Sequence, residues 1–424
     1  MKLNLNGCEI SKETLFVVTE FSNVIGMTLT DTKYFSKSEK LFVTNDGTAI
    51  YLYLNTFQFA YLYIKKNETI IFSGFLGWIH FEKLMNSIYK IRRMVIGAEF
   101  NILPKKLKVD LFKFLYGKKQ NKFIWDDYLN HYHFDTVQTI HKFIKIDGKK
   151  HRLFLHLMIN QGSKQNNGKW VLVAHGILDH GGSNVTLAGY LLENGYSLLF
   201  LDLPGNGISE GERWSIEDFS HYAIAIEDTV KWMNANLLGD FIFIGHSTGT
   251  VGVTDGLLNP HTSQRFIKLF HRFKAIVYIA PLIRSFAWEL SKFSMKNFSG
   301  LFKIIFDEKL PRLQDKATSD KNYNEKSAND LLSGKYAPLS WAKALVLWNE
   351  KNVMYGKCNA DITIFQGKLD EVVDFSYNIP YLQERFRNVS VTMIKGAKHS
   401  LQNEPGAAGN RFYMELTKYL EKLD

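Results

Sequence analysis

The chain has 424 residues, 46% of them hydrophobic and 14% aromatic, enough apolar material for two domains with buried cores, which excludes a disordered or fibrous chain. Two cysteines, Cys8 and Cys358, exclude a disulfide framework and a cysteine metal site, and they fit a reducing compartment. The formal charge of +10 is compatible with an anionic partner, but no nucleic-acid motif accompanies it and no stretch is apolar enough for a membrane span or a signal peptide, so a cytoplasmic protein is expected.

Residues 1–135 read as a smaller domain that contains strands and has no assignable role. Residues 40–54 look like two strands around an Asp46-Gly47 hairpin turn, and 57–81 continue in aromatic and β-branched residues. From Lys83 to Lys122 there are eleven basic residues against Glu99 and Asp110, interleaved with apolar ones. Such a stretch is either a solvated helix face or a patch for an anionic membrane surface.

Residues 136–424 form the second expected domain. It opens with a hairpin over 139–158, turning at Asp147-Gly148. Strands and helices then alternate: strands near 170–174, 197–202, 240–246, 274–280, 361–366 and 388–394, with helices over 184–194, 216–236, 248–259 and 405–423. This rhythm predicts an α/β fold, a mostly parallel sheet covered by helices on both faces. Some eighty residues between Pro281 and Asn359 interrupt it, too many for a structureless loop, so a helical cap insertion is expected over about 283–355. Its aromatics Phe286, Trp288, Phe293, Phe298 and Phe302 are expected to be exposed and to line an acyl channel.

The chemistry starts at 240–249, Asp-Phe-Ile-Phe-Ile-Gly-His-Ser-Thr-Gly. An apolar strand leads into Gly-x-Ser-x-Gly, and a helix follows, the context in which this motif makes a nucleophile elbow. Gly245 and Gly249, flanking His246, Ser247 and Thr248, remove the Cβ atoms that so sharp a turn cannot hold. Ser247 should therefore present an exposed hydroxyl at a helix N-terminus. A serine nucleophile needs a base and the base an orienting acid. His399 and Asp370 each stand just past a later strand, and the order Ser247, Asp370, His399 is that of α/β-hydrolases. Glu371, Asp374 and Asp361 compete for the acid role, Asp374 also being placed to cap the next helix. The oxyanion hole should use the backbone N–H groups of Thr248 and Ile177, the second following His175-Gly176, where glycine lets the chain turn back toward the serine. His175 reads as a residue that orders this loop. No metal site or cofactor is expected.

The landmarks His175-Gly176 with Asp179-His180, Asp202-x-x-Gly-x-Gly-x-Ser-Glu-Gly-Glu-Arg213, Gly245-His-Ser-Thr-Gly249, Gln366-Gly-x-x-Asp-x-Val-Val-Asp374 and His399 resemble the α/β-hydrolase superfamily, in its monoacylglycerol lipase and lysophospholipase (serine aminopeptidase-like) branch. The similarity runs from about Thr139 to the C-terminus. It implies cleavage of a single-acyl-chain lipid ester under a cap, without a cofactor. Ser183-Asn184 stand where an Arg-Tyr pair is common in that branch, and Asn206 where a histidine is common. A small-ester esterase or a peptidase on the same fold is the alternative within enzymes, and a catalytically silent membrane- or protein-binding module the alternative outside them.

Overall fold

Four strands, β10 (Lys169–Ala174), β11 (Ser197–Leu201), β12 (Asp240–His246) and β13 (Phe273–Ile279), are near-continuous apolar runs buried almost from end to end. A strand that alternates can keep one face in water, whereas one that does not needs cover on both, which is what a parallel sheet between two helix layers supplies. In the computed structural model these strands lie at the centre of an eight-stranded sheet of order β17-β16-β13-β12-β10-β11-β9-β8. Strands β10 to β13, β16 (Cys358–Gly367) and β17 (Phe386–Ile394) run parallel. The predicted hairpin of β8 (Thr139–Asp147) and β9 (Arg152–Asn160) adds antiparallel to β11 at one edge.

The structure describes residues 3–5, 8–11, 15, 18, 39–43, 46–54, 60–67, 69–76, 99–100, 122–134, 139–161, 168–286, 288–289, 309–311, 314–330 and 332–423. They belong to two compact units, Met1–Lys113 and Phe114–Asp424. Apart from Glu99, Phe100 and Lys122, the basic stretch 83–122 lies outside the described residues, as do Phe293, Phe298 and Phe302.

In the first unit, β1 (Leu3–Leu5) pairs with β2 (Cys8–Ile10). A second sheet of order β6-β5-β4-β3-β7 is antiparallel throughout, from β3 (Glu39–Val43), β4 (Ala49–Leu54), β5 (Ala60–Lys66), β6 (Thr69–Leu76) and β7 (Glu99–Phe100). The Asp46-Gly47 hairpin is present. Gly47 has φ 77°, and the Asp46 carboxylate accepts from Thr48 N at 3.2 Å, Ser11 N at 2.9 Å and Lys66 Nζ at 3.0 Å. A carboxylate that satisfies the turn's own backbone is the usual reason for Asp there.

The first described element of the second unit is helix α1 (Lys122–Tyr132). Its Trp125 stacks on Phe143 of β8 with ring centroids 3.9 Å apart, and Tyr128 lies edge-on to the same ring. Helices α2 (Val185–Glu193), α3 (Ser220–Asn236), α4 (Val251–Leu258) and α5 (Ser263–Leu269) follow. The described part of the insertion holds α6 (Gln314–Ala317), α7 (Lys321–Asn329) and an antiparallel pair, β14 (Lys309–Pro311) with β15 (Tyr336–Pro338).

Helix α8 (Leu339–Asn352) closes the insertion, and it is a core element more than a cover. Trp341 Nε1 donates to the Tyr222 hydroxyl of α3 at 3.1 Å, and Trp348 Nε1 to Asp255 Oδ1 of α4 at 2.8 Å, so its indoles lie buried with their N–H groups satisfied. Trp288, expected among the exposed aromatics, is also buried. It is 4% exposed, with the Arg284 guanidinium 5.5 Å from its ring, while Phe286 is 51% exposed. Helices α9 (Phe375–Arg385) and α10 (Gly406–Leu420) complete the fold.

Phe243, in the middle of β12, has no exposed surface and packs edge-on against Tyr278. Phe243→Ala should cost about 3–5 kcal/mol in chemical denaturation, as buried aromatic truncations do. Leu238→Ala, at a side chain 87% exposed, should stay within about 0.5 kcal/mol of the parent.

Candidate active site

The carboxyl ends of the central strands are aligned: Ala174 pairs with Gly245, His246 with Ile279 and Gly367 with Ile394. Loops leaving this edge therefore converge, as they do at the ligand-binding edge of open α/β sheets. Four non-glycine residues with left-handed backbone occur on these loops, Leu178 (φ 65°), Trp214 (φ 56°), Ser247 (φ 51°) and Ala280 (φ 46°). Each such residue costs about 1–2 kcal/mol and persists only where its surroundings dictate it.

At Ser247 the surroundings are visible atom by atom. The serine opens a short 3₁₀ turn, Ser247–Thr250, that runs into α4. A methyl group on Gly249 would stand 2.1 Å from the Ala174 carbonyl oxygen, and one on Gly245 2.8 Å from Phe243 Cε1, so neither position admits a larger residue without moving main chain or core. Thr250 Oγ1 donates to Ser247 O at 2.7 Å and holds the turn from below. Ser247 is 4% exposed, which corrects the expected exposed hydroxyl. The loop after β10 covers it: a methyl group on Gly176 would lie 3.3 Å from Ser247 Cβ and 3.2 Å from His246 Nδ1.

Asp370 and His399 come together in the turns after β16 and β17. His399 Nδ1 donates to Asp370 Oδ2 at 2.8 Å. Asp370 Oδ2 also accepts from Gln366 Nε2 at 2.8 Å, and its Oδ1 from Val372 N at 2.8 Å and Val373 N at 3.2 Å. Burial by itself would raise the pKa of this carboxyl, but the His399 imidazole and these donors outweigh burial and lower it. The two turns are bonded directly, Leu369 N to Ala397 O at 2.9 Å and Lys368 N to Ile394 O at 3.0 Å. A methyl group on Gly367 would meet Lys398 O at 2.0 Å, so glycine permits the approach.

The other candidate acids are engaged elsewhere. Asp361 pairs with Arg387 at 2.7 Å, Glu371 with Lys316 at 2.8 Å, and Asp374 caps α9 by accepting from Tyr377 N at 3.2 Å. His246 faces His399 with ring centroids 4.9 Å apart; burial, then the neighbouring imidazole, lowers its pKa to about 3, so it stays neutral.

In the loop after β10, His175 Nε2 accepts from Leu203 N at 2.9 Å, which leaves Nδ1 to donate to Gly176 O at 2.7 Å. Both ring nitrogens are used in holding backbone, and burial lowers the pKa. Ile177 follows Gly176, and Thr248 follows Ser247 at the head of a helical segment, where the first N–H groups have no partner within the helix. The sequence marks Asn206 but not its role: its Oδ1 accepts from Leu178 N at 3.2 Å and so anchors the residue after Ile177. Nor does it show that Gln366 supports Asp370, or that His180 Nε2 pairs with Asp330 Oδ2 at 2.7 Å, which joins the same loop to the insertion. Asp330 had no signal of its own in the sequence, since its partners lie far away in the chain.

Among the described residues, no group of three or more His, Cys, Asp or Glu side chains could hold a metal ion, and no helix is long and apolar enough to cross a membrane.

Residues 165–406 match the family described as "Serine aminopeptidase, S33". The monoglyceride lipase homolog of Monkeypox virus is 23% identical over 261 residues, 59% of this chain and 88% of that protein. Among solved structures, a soluble variant of monoglyceride lipase from Saccharomyces cerevisiae, in complex with a substrate analog, shares the α/β-hydrolase fold with a TM-score of 0.52 at 17% identity, over 68% of this chain and 97% of that one. A monoacylglycerol lipase from Paleococcus ferrophilus gives a TM-score of 0.48 at 17% identity, over 64% of this chain and 99% of that one.

Asp330, like Asp370, has a lowered pKa: burial would raise it, but His180, the Leu332 N–H and the Tyr132 hydroxyl bring it to about 2. A carboxyl more acidic in the folded state contributes stability that is complete above its unfolded pKa of about 4 and is lost as pH falls toward the folded value. His180, buried against Asp330 and raised in pKa by it, would be left in Asp330→Asn as a buried imidazole without its carboxylate, so denaturant melts at pH 7 and pH 5 should show that variant losing more stability on acidification than the parent chain. Parallel losses would remove Asp330 from the acid response.

Proposed function

The chain belongs to the serine aminopeptidase S33 family of α/β-hydrolases, and from that membership we propose that it hydrolyses carboxylic esters through a covalent acyl-enzyme. Ser247 Oγ attacks the ester carbonyl while His399 Nε2 takes its proton. Asp370 Oδ2 holds the imidazole by Nδ1 and stabilises its charged form. The N–H groups of Ile177 and Thr248 receive the oxyanion. Collapse expels the alcohol, which leaves with the proton from His399. A water activated by the same histidine then releases the carboxylic acid. The observation that carries this reading is the buried His399–Asp370 pair, 2.8 Å apart, on turns that leave the sheet at the same edge as a serine held at φ 51°.

The substrate class we propose is the ester of a single acyl chain, a monoacylglycerol or a lysophospholipid. Of the similar proteins, one is by name a monoglyceride lipase homolog and another a monoglyceride lipase. In this chain Phe286 and Leu369 add support. They are 51% and 55% exposed, and both sit on segments tied to the acid turn, Phe286 N donating to Val372 O at 2.9 Å. Large apolar side chains held at a site's rim favour an apolar ligand.

Ser247→Ala should abolish fluorophosphonate labelling and lower ester hydrolysis by about a thousandfold or more while the chain stays folded. Retained activity would remove Ser247 as the nucleophile. Asp370→Asn should cost kcat/KM far more than Asp374→Asn, and equal losses would leave the acid unassigned. Across a series of monoacyl esters, kcat/KM should rise with chain length, each buried methylene contributing up to about 0.8 kcal/mol. A profile that is flat or favours acetate would indicate a small-ester esterase, and faster turnover of aminoacyl anilides than of any ester a peptidase.

A further inference from the structure

Helix α1 precedes the stretch that matches the family, 165–406, yet it enters the loop after β10. Tyr128 is fully buried, and Tyr132 lies edge-on to His180 with ring centroids 5.0 Å apart. The fit leaves no slack. A methyl group on Gly182 would stand 2.9 Å from the Tyr128 hydroxyl, 2.9 Å from Tyr132 Cδ2 and 2.8 Å from His180 Cε1.

The Tyr132 hydroxyl donates to Asp330 Oδ1 at 3.0 Å, and Asp330 is the residue at which the insertion leaves α7. The Asp330 carboxylate gathers three further donors. His180 Nε2 reaches its Oδ2 at 2.7 Å, with His180 Nδ1 accepting from Gly182 N at 3.1 Å; Leu332 N reaches Oδ1 at 2.8 Å; Ser333 Oγ reaches Oδ2 at 3.3 Å. The turn so formed delivers Gly334, whose N–H donates to Leu178 O at 2.8 Å. Leu178, at φ 65°, is thereby held at its carbonyl by the insertion and at its N–H by Asn206. One peptide further back, between Gly176 and Ile177, lies the Ile177 N–H.

We propose that Tyr132 is a positioning residue for hydrolysis: through Asp330 it holds the exit of the insertion against Leu178 and so fixes the Ile177 N–H that receives the oxyanion. This rests on the acyl-enzyme reading above and adds to it an element from outside the family's matched region. Rigid placement is the premise, since an oxyanion donor contributes by being aimed before charge develops, and loosening its support weakens the transition state more than the ground state.

The test is a cycle on the full chain of Tyr132→Phe, which keeps the ring and removes only the hydroxyl, Asp330→Asn, and both together. Melting temperature, fluorophosphonate labelling rate, kcat and KM on one monoacyl ester are measured for each. Each single variant should lower kcat and the labelling rate by roughly threefold to tenfold, with KM within about twofold; Tyr132→Phe should leave the melting temperature nearly unchanged, while Asp330→Asn lowers it by removing the stability its carboxylate contributes at neutral pH. The double variant should be no worse than the worse single one, because both cut the same connection. Tyr132→Phe at parental kcat, or additive losses, would overturn the inference. Losses that instead track a lowered melting temperature in both variants would assign the pair a purely structural role and overturn it as well. Ser247→Ala run alongside separates the two levels. If it is inactive and Tyr132→Phe is fully active, only the role of Tyr132 fails; if Ser247→Ala is itself active, the acyl-enzyme reading fails and takes the inference with it.

Discussion

The rest of the site depends on one close approach, that of Gly249 to the carbonyl end of β10. With the α-carbon so near Ala174 O that a methyl group would lie 2.1 Å away, the chain after β12 has no room to leave the sheet gradually. It turns at once, and Ser247 takes the left-handed conformation that glycine would adopt without cost. The strain, about 1–2 kcal/mol, is small beside the burial of Phe241, Phe243 and Ile244, all without exposed surface, which locks β12 between β10 and β13. Core packing thus sets the direction of one side chain at the edge of the sheet.

The same logic of pinned turns governs Asp370 and His399. Parallel pairing of β16 with β17 brings Gly367 opposite Ile394, and the turns beyond them bond to each other before any side chain is considered. Asp370 then has only to satisfy its own turn, through Val372 N and Val373 N, to face His399. An imidazole oriented in this way needs no rearrangement as charge appears on it, which is the sense in which a site is preorganised. Two neighbouring histidines contrast with it. Burial keeps His246 and His175 from gaining charge, and His175 spends both nitrogens on backbone. Three histidines near Ser247 have different partners because their surroundings differ.

The insertion is divided between two tasks. Its last helix, α8, is part of the core, with Trp341 and Trp348 bonded to α3 and α4. Its middle, from α7 to Gly334, lies along the loop after β10, where Asp330 gathers donors from α1, from that loop and from its own turn. A buried carboxylate supplied with so many donors is stable only while every one stays in place, so it registers the relative placement of the segments that supply them.

The sequence by itself determined the alternation of strands and helices, the hairpin at Asp46-Gly47, the hairpin that opens the second unit, and the elbow at Ser247, because each rests on interactions within a few residues. Parallel strands buried on both faces are apolar throughout, and a glycine at a turn is local chemistry. The positions of Asp370 and His399 were legible for the same reason, each following a strand by a few residues. Helix α1 was legible in principle, since Trp125, Tyr128 and Tyr132 recur at helical spacing, but the polar residues between them masked the stripe. Only the tertiary structure decided that Ser247 is buried, that Trp288 and α8 belong to the core, and that Asp330 joins Tyr132 to His180. The partners of Asp330 lie 150 and 198 residues away in the chain and those of the α8 indoles 93 and 119, and no local pattern of charge or hydrophobicity encodes which distant side chain a carboxylate will meet.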